Sequence, residues 1–180
     1  MKLDELLTLE PSRKNIDQII SIIKTTPELF NIVWEIYLMD KNPQSRRAAW
    51  AIDLLHEQGL ELDQTQMGEI IKRLPTFKHQ GMKRHSLRIL ASEPVANEHI
   101  GTLADICFRW LEANDSSVAV KMYAIKILTE IAEKEPAICR ELIDIIELQL
   151  EESTPGFRNI GIKTIKLLQR RMSGVKKKVQ

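Results

Sequence analysis

Apolar residues recur along most of this chain at the spacing of an α-helix. Apolar side chains three and four positions apart line one face of a helix. This spacing runs through residues 125–132 and again through residues 142–150. The alternation of apolar and polar positions that marks a half-buried strand is nowhere sustained. The pattern therefore predicts an all-α protein.

Prolines and capping residues divide the chain into ten predicted helices. Proline suits the first turn of a helix or the position just past its end, and Ser, Thr, Asn or Asp can accept a hydrogen bond from the free amides of a first turn. Such residues recur, as at 26–27, 42–45 and 153–155. The connections are short, so successive helices should be antiparallel neighbours. The predicted spans are 2–9, 12–25, 27–40, 43–58, 62–74, 79–92, 97–113, 115–134, 136–152 and 155–172.

Four of these helices share a pattern that begins with a small residue and continues with apolar, polar, apolar and apolar positions. The small residues are separated by 35, 38 and 37 positions, and a period in this range indicates repeats of two helices. A small side chain allows two helices to cross closely. The four residues are Ala51, Ser86, Ala124 and Gly161.

Basic, small and aliphatic residues follow one another along segments 45–52 and 118–125. This series resembles the second helix of a hairpin in the HEAT/armadillo superfamily, and the resemblance covers about 27–172. It implies an α-solenoid with two N-terminal capping helices at 1–26 and four two-helix repeats, which together form one domain over 1–172. Such solenoids bind proteins, peptides, nucleic acids and membranes alike. The alternative is an irregular helical bundle whose helices are similar by coincidence.

The composition is that of a soluble globular protein. Of 180 residues, 43% are hydrophobic and 28% are charged, which argues against a disordered or membrane class. Acidic residues near the N-terminus do not fit a signal peptide, and no apolar stretch approaches the roughly 20 residues of a membrane span. We therefore predict a cytoplasmic protein. Cys107 and Cys139 lie in predicted helices and are expected to be buried, reduced thiols.

Motifs that carry catalysis or bind metals and cofactors are missing from the sequence. The seven glycines never group into a phosphate-binding loop, and there is no Gly-x-Ser-x-Gly elbow. No two histidines have the i, i+4 spacing of a metal site, so we interpret them as surface or hairpin-edge residues. We predict no catalytic residue, no metal and no cofactor. The histidines are His56, His79, His85 and His99.

The three tryptophans raise the question of glycosylase activity. DNA-alkylation glycosylases, one branch of HEAT-like proteins, use tryptophans and an aspartate in a groove, with a Trp-x-x-x-Asp spacing. Here Asp53 follows Trp50 by three positions, and neither Trp34 nor Trp110 has an acid four positions on. The resemblance therefore does not extend to that activity. We interpret the tryptophans as core or hairpin-edge packing.

Charge is distributed unevenly between the two helices of each hairpin, although the net charge is only +1. The first helices, counted over 27–40, 61–74, 97–113 and 137–152, sum to −10, and the second helices, counted over 45–58, 79–92, 117–134 and 155–172, sum to +9. In a solenoid this separation gives a basic inner face and an acidic outer one, with equivalent basic residues in rows. A charged face that only keeps the protein soluble is the alternative. The candidate binding residues are Lys83, Arg84, Arg88, Lys121, Lys126, Arg158 and Lys163.

Three classes of function remain. The first is a non-catalytic scaffold that binds a protein or peptide on the face lined by the second helices. The second is a nucleic-acid-binding solenoid with a basic concave face, and the third is an enzyme with a groove that no motif reveals. We predict no membrane partner. The basic residues 173–180 are expected to form a flexible tail.

Overall fold

A computed structural model of the chain describes residues 3–178, which form ten α-helices and no β-strand. Two short 3₁₀ turns, Leu74–Thr76 and Pro136–Ile138, follow α5 and α8. The helices form two compact units, Met1–Val95 and Ala96–Gln180. The helices are α1 (Leu3–Thr8), α2 (Arg13–Thr25), α3 (Leu29–Leu38), α4 (Gln44–Glu57), α5 (Gln64–Arg73), α6 (Gln80–Leu90), α7 (Asn97–Glu112), α8 (Val118–Lys134), α9 (Cys139–Leu150) and α10 (Pro155–Lys178).

Several helix starts are fixed by side-chain caps. The Ser12 hydroxyl accepts a hydrogen bond from the amide of Asn15. At α5, Asp63 and Gln66 form a reciprocal capping box. Helix α8 begins three residues later than predicted because Ser117 has an extended backbone and caps it. Helix α9 begins three residues later than predicted because the preceding residues form a 3₁₀ turn.

In the first unit, α4 is the central helix. It pairs with α3 and packs against α1, α2 and α6. Because neighbours approach from several sides, small and aliphatic residues such as Ala48, Ala51 and Ile52 are completely buried in it. The chain leaves α4 at Gly59, whose positive φ of 97° suits a residue without a Cβ. The central position of α4 leaves only a narrow part of its surface exposed.

Residues one repeat apart contact each other several times in the first unit. Each of these contacts joins residues separated by 35 positions, which is the spacing between Ala51 and Ser86. Equivalent positions of consecutive hairpins therefore lie side by side, as a stack of helical repeats requires. The pairs are Trp34 with Glu69, Arg73 with the Leu38 carbonyl, Trp50 with His85, and Asp53 with Arg88.

In the second unit, α7 pairs with α8, α9 pairs with α10, and α8 also packs on α10. A Cβ added at Gly161 would lie 2.8 Å from Ile146 Cγ2 and 3.0 Å from Leu150 Cδ2, so only glycine fits without a shift. Ala124, at the equivalent position of α8, is completely buried. The predicted use of small residues where helices cross closely is thus confirmed at Gly161.

Helix α10 is 24 residues long and extends beyond its predicted end at residue 172. Its helical hydrogen bonding continues at Ser173, whose hydroxyl also donates to the Gln169 carbonyl. Residues 179 and 180 lie outside the described part of the chain. The flexibility of 173–180 and the single domain over 1–172 stay predictions. No helix within residues 3–178 has both the length and the apolar character needed to cross a bilayer.

Candidate binding surface

The second helices of the first unit expose a narrow stripe of polar and aromatic residues. On α4 the side chains of Arg46 and Trp50 are partly exposed and Glu57 is exposed, whereas most of the helix is buried. On α6 the exposed Arg84 and the half-buried Arg88 lie one helical turn apart. We call the surface formed by these five residues the α4–α6 surface.

A buried carboxylate supports this surface from below. Asp53 of α4 is only 1% exposed, and its Oδ2 lies 2.7 Å from His85 Nδ1 and 3.2 Å from Arg88 Nη1. A second Arg88 nitrogen lies 2.5 Å from the Glu57 carboxylate. The positive charge of Arg88 is thus shared by two acids of α4, and the polar groups fix α6 against α4.

The hydrogen bonds of His85 determine which of its nitrogens carries the proton. Arg84 Nη2 lies 2.9 Å from His85 Nε2, and a guanidinium can only donate. The Nε2 atom must therefore accept, so the ring proton is on Nδ1 and is donated to Asp53. His85 thus uses both nitrogens as a neutral imidazole.

The surroundings of His85 also keep it neutral. Burial lowers its pKa below the ordinary value, the Asp53 carboxylate acts in the opposite direction, and the charges of Arg84 and Arg88 lower the pKa further. A protonated ring would also turn an N–H toward Arg84 and break that hydrogen bond. The cluster is therefore built for the neutral form of His85.

One face of the Trp50 ring packs against this cluster. Its ring stacks on the imidazole of His85, with centroids 6.0 Å apart and planes inclined by 18°. Because Asp53 holds the imidazole in place, the indole is positioned before any ligand arrives. An orientated, partly exposed tryptophan beside two arginines offers both apolar area and hydrogen-bond donors.

A second polar contact lies beside Trp50, where α6 begins. Arg46, one turn before Trp50 on α4, places Nη1 2.8 Å from His79 Nε2. The other ring nitrogen of His79 accepts a hydrogen bond of 2.9 Å from the amide of Gly81. The aliphatic part of Arg46 packs over Gly81, where an added Cβ would lie 3.1 Å from Arg46 Cδ.

In the second unit, the predicted binding residues of α8 have different surroundings. Lys121 Nζ donates to Gln149 of α9 at 2.6 Å, and burial lowers its pKa while the Asp115 carboxylate opposes that shift. Lys126 is exposed and lies close enough to Glu130 for its charge to lower the pKa of that acid, although burial raises it overall. Lys121 thus has a structural contact, whereas Lys126 faces solvent.

Arg158 and Lys163 of α10 also differ from each other. The Arg158 guanidinium donates to the carbonyl of Leu150, the last residue of α9, and to the carbonyls of Glu151 and Ser153 just beyond it. A cation that binds these carbonyls stabilises the negative end of a helix. Lys163 is exposed. Arg158 therefore has a structural contact that the charge pattern did not indicate.

The structure brings some of the predicted residues together. Arg84 and Arg88 both contact the Asp53–His85 pair, and the half-buried Lys83 lies beside them on α6. The predicted rows of basic residues that would run through all four repeats stay a prediction. The interpretation of His85 as a surface or edge residue is wrong, since it is 4% exposed.

Asp53, His85 and Trp50 were not predicted from the sequence to form one cluster. The spacing of Trp50 and Asp53 was interpreted only as a mismatch to the glycosylase pattern. The signal that could have found them is the 35-residue period, because Trp50 and His85 occupy equivalent repeat positions.

The other residues that had been candidates for chemistry are mostly structural. Trp34 is 5% exposed, and its indole N–H donates to Glu69 at 2.8 Å. Cys107 and Cys139 are buried free thiols, as expected, and burial raises the pKa of Cys107 above its usual range. Within residues 3–178, no three His, Cys, Asp or Glu side chains are grouped as metal ligands.

Comparisons with known proteins agree with the helical-hairpin architecture. The family described as HEAT repeat domain matches residues 3–167, nearly the whole chain. The chain therefore belongs to the HEAT repeat family, and the predicted fold class, an all-α solenoid of HEAT-like hairpins, is confirmed. Searches of the curated proteins and of the solved structures gave no match. HEAT repeats are scaffolds that often mediate interactions between proteins.

Proposed function

We propose that this chain is a non-catalytic scaffold that recognises a protein or peptide on the face lined by the second helices of its hairpins. In the first unit this face is the α4–α6 surface. The proposal combines the general role of HEAT repeats with the one place in the first unit where a tryptophan is held partly open to solvent.

The orientation of Trp50 is the observation that carries the proposal. Tryptophan and arginine are the residues that most often supply binding energy in protein interfaces. Here a partly exposed indole stacks on His85 and is flanked along its own helix by Arg46. A buried carboxylate and imidazole are seldom better for stability than apolar residues of similar size. Their presence beneath Trp50 supports a role in positioning the surface.

The same geometry argues against catalysis by the Asp53–His85 pair. A general base needs a free nitrogen within reach of the substrate. The His85 Nε2 atom already accepts a hydrogen bond from Arg84, and the ring is nearly inaccessible to solvent. The pair therefore serves to orient Trp50 and the arginines.

The experiment that tests this function is affinity capture from the source cell with three forms of the chain. These are the unchanged protein, the Trp50→Ala variant and the Leu148→Ala variant. Leu148 is 85% exposed on α9, which is the first helix of its hairpin. We expect the same protein to be captured by the unchanged chain and by the Leu148→Ala variant, with or without nuclease. We expect the Trp50→Ala variant to lose it while it keeps its helical circular dichroism.

Two outcomes would contradict the proposed function. One is that the captured protein is retained by Trp50→Ala but lost by Leu148→Ala, which would move binding to a first helix. The other is that every captured protein disappears after nuclease treatment, which would make nucleic acid the direct ligand.

A nucleic-acid ligand is the second candidate, and α10 is the observation that favours it. This helix has no Asp or Glu in its 24 residues, and Lys163, Lys166 and Arg170 are exposed on it. Exchange of these three residues for Glu would abolish such binding. For a duplex, the logarithm of the affinity would fall with the logarithm of salt concentration by roughly 0.9 per phosphate contact.

A further inference from the structure

His79 has more hydrogen-bond donors directed at it than it can satisfy. A neutral imidazole has one nitrogen that accepts and one that donates. At His79 the Gly81 amide points at Nδ1 at 2.9 Å, and Arg46 Nη1 lies 2.8 Å from Nε2. Neither the amide nor the guanidinium can accept a hydrogen bond. Whichever nitrogen carries the proton, one N–H is left facing another donor.

The cations around this point also exceed the acids that neutralise them. Within residues 3–178, no carboxylate lies within salt-bridge distance of Arg46 or Arg84, whereas Arg88 is bound by two. Burial lowers the pKa of His79, the charges of Arg46 and Arg84 lower it further, and the Asp40 carboxylate acts in the opposite direction. The described part of the chain therefore pairs neither arginine with an acid, and acceptors are short at this point.

An oxygen that carries negative charge would relieve this shortage. It could accept from Arg46 and from the Nε2–H of His79, while Gly81 keeps its bond to Nδ1. The arginine fork suits a carboxylate, because two parallel N–H groups can bind its two oxygens. Arg84 lies one turn further along α6, and its charge also acts on His79. A second acidic group would meet it there.

We propose that Arg46, His79 and Arg84 bind the carboxylates of an acidic peptide segment whose apolar side chain packs on Trp50. We call these four residues the acid-binding site. The inference rests on the proposed function and adds the chemistry of the partner. The occupant is a segment of a partner protein with Asp or Glu on either side of an aliphatic or aromatic residue.

The arrangement of charges favours separate carboxylates over a continuous phosphate backbone. Asp40 lies close enough to act on the charge of His79, and Glu57 stands at the other end of the exposed stripe of α4. Phosphates that continued past the acid-binding site in either direction would approach one of these acids. A peptide can place neutral residues there, so its charge complements the site better.

The test is a selection of random twelve-residue peptides displayed on phage against the 180-residue chain, followed by affinity measurements with synthetic peptides. We expect selected sequences to be enriched in Asp and Glu beside an apolar residue. Arg46→Ala and Arg84→Ala should each weaken the best peptide by roughly tenfold, the usual effect of losing one charged hydrogen bond. Arg84→Lys should recover part of the loss, since it restores charge without the fork.

Lys72→Ala serves as the matched control, because it removes an exposed cation from α5, a first helix of the same unit that lies outside the acid-binding site. It should change the affinity less than twofold. The inference is overturned if selection yields no acidic enrichment, if acidic peptides bind Arg46→Ala and Arg84→Ala as well as the unchanged chain, or if a 20-nucleotide single strand binds the acid-binding site more tightly.

Failure here can be separated from failure of the proposed function. If cellular capture still depends on Trp50 but selected peptides carry no acids, the scaffold function stands and the acidic partner is wrong. If neither capture nor peptide binding depends on Trp50, both are wrong. Circular dichroism and thermal unfolding of each variant show that lost binding is not lost folding.

Discussion

Asp53 is the residue on which the geometry of the α4–α6 surface depends. Its carboxylate receives hydrogen bonds from His85 and Arg88, and it is itself almost inaccessible to solvent. Removal of one member of a buried polar pair leaves the other without compensation. The effect of such a change should therefore be seen both in stability and in the position of Trp50.

We predict that Asp53→Ala lowers the free energy of unfolding by about 3 kcal/mol, because Arg88 and His85 lose a buried partner. Glu57→Gln is the matched control. This change removes the other carboxylate bound to Arg88. Because the Glu57 side chain is 55% exposed, the change should lower the free energy of unfolding by less than about 1 kcal/mol. Denaturant unfolding of both variants gives the comparison. Equal costs would mean that the buried carboxylate has no special role.

The neutral state of His85 leads to a prediction about pH. In the unfolded chain this histidine takes up a proton near its ordinary pKa of 6.5, whereas in the folded chain burial lowers the pKa and the ring stays neutral. The unfolded state then binds more protons, so the free energy of unfolding falls as the pH drops below about 6.5.

We expect a loss of up to about 1 kcal/mol between pH 7 and pH 5.5 that comes from His85 alone. His85→Gln, which cannot titrate, should show a smaller decrease over the same range, and the other three histidines are common to both proteins. Denaturant unfolding at the two pH values provides the measurement. An identical decrease in both proteins would show that His85 does not carry this dependence.

Glycine in α10 allows two helices to approach more closely than any other residue would. We predict that Gly161→Ala lowers the free energy of unfolding by about 1 kcal/mol, because overpacking against Ile146 and Leu150 exceeds the gain in helix propensity. Gly101→Ala in α7 is the control, since nothing lies within 4 Å of its Cβ position. It should stabilise the chain by up to about 1 kcal/mol. Similar gains in both variants would contradict the close crossing.

Arg158 joins the start of α10 to the end of α9. We predict that Arg158→Ala lowers the free energy of unfolding by about 1 kcal/mol, because several carbonyls lose a charged donor. Lys163→Ala, on the same helix but exposed, should change it by less than about 0.5 kcal/mol. Thermal or denaturant unfolding distinguishes them. Equal effects would show that the α9 carbonyls do not depend on Arg158.

The Arg158 contact also decides which residues of α10 should be exchanged in a binding test. A change of Arg158 to an acid would disturb the α9–α10 hairpin as well as any bound ligand, so a loss of binding would not distinguish lost contacts from lost structure. Lys163, Lys166 and Arg170 are exposed on the same helix, and their exchange changes charge with less effect on folding. They are therefore the better positions for charge reversal.

Over the whole chain, the sequence predicted the elements better than the site. The helices follow from apolar spacing and capping residues, both of which are local properties of the chain. The starts of α8 and α9 were misplaced by three residues because Ser117 caps α8 and Pro136 opens a 3₁₀ turn, whereas Asn114 as a cap and Pro136 as a first residue would also fit helices that begin at 115 and 136.

The site depended on information that a single helix does not contain. Asp53 and His85 have no distinguishing pattern within their own helices. They become neighbours only because α4 packs against α6, with equivalent positions 35 residues apart. The period itself was recognised. Its use to pair residues i and i+35 would have placed Trp50 against His85 and Asp53 against Arg88.

The most direct test of the binding surface is hydroxyl-radical footprinting of the chain alone and in complex with its captured partner. Trp50 should be oxidised in the free chain and protected in the complex. Met39 is 52% exposed at the end of α3, the first helix of its hairpin, and should be oxidised equally in the free chain and in the complex. The buried Trp34 should react little in either state. Protection of Met39 with Trp50 still fully reactive would contradict the account.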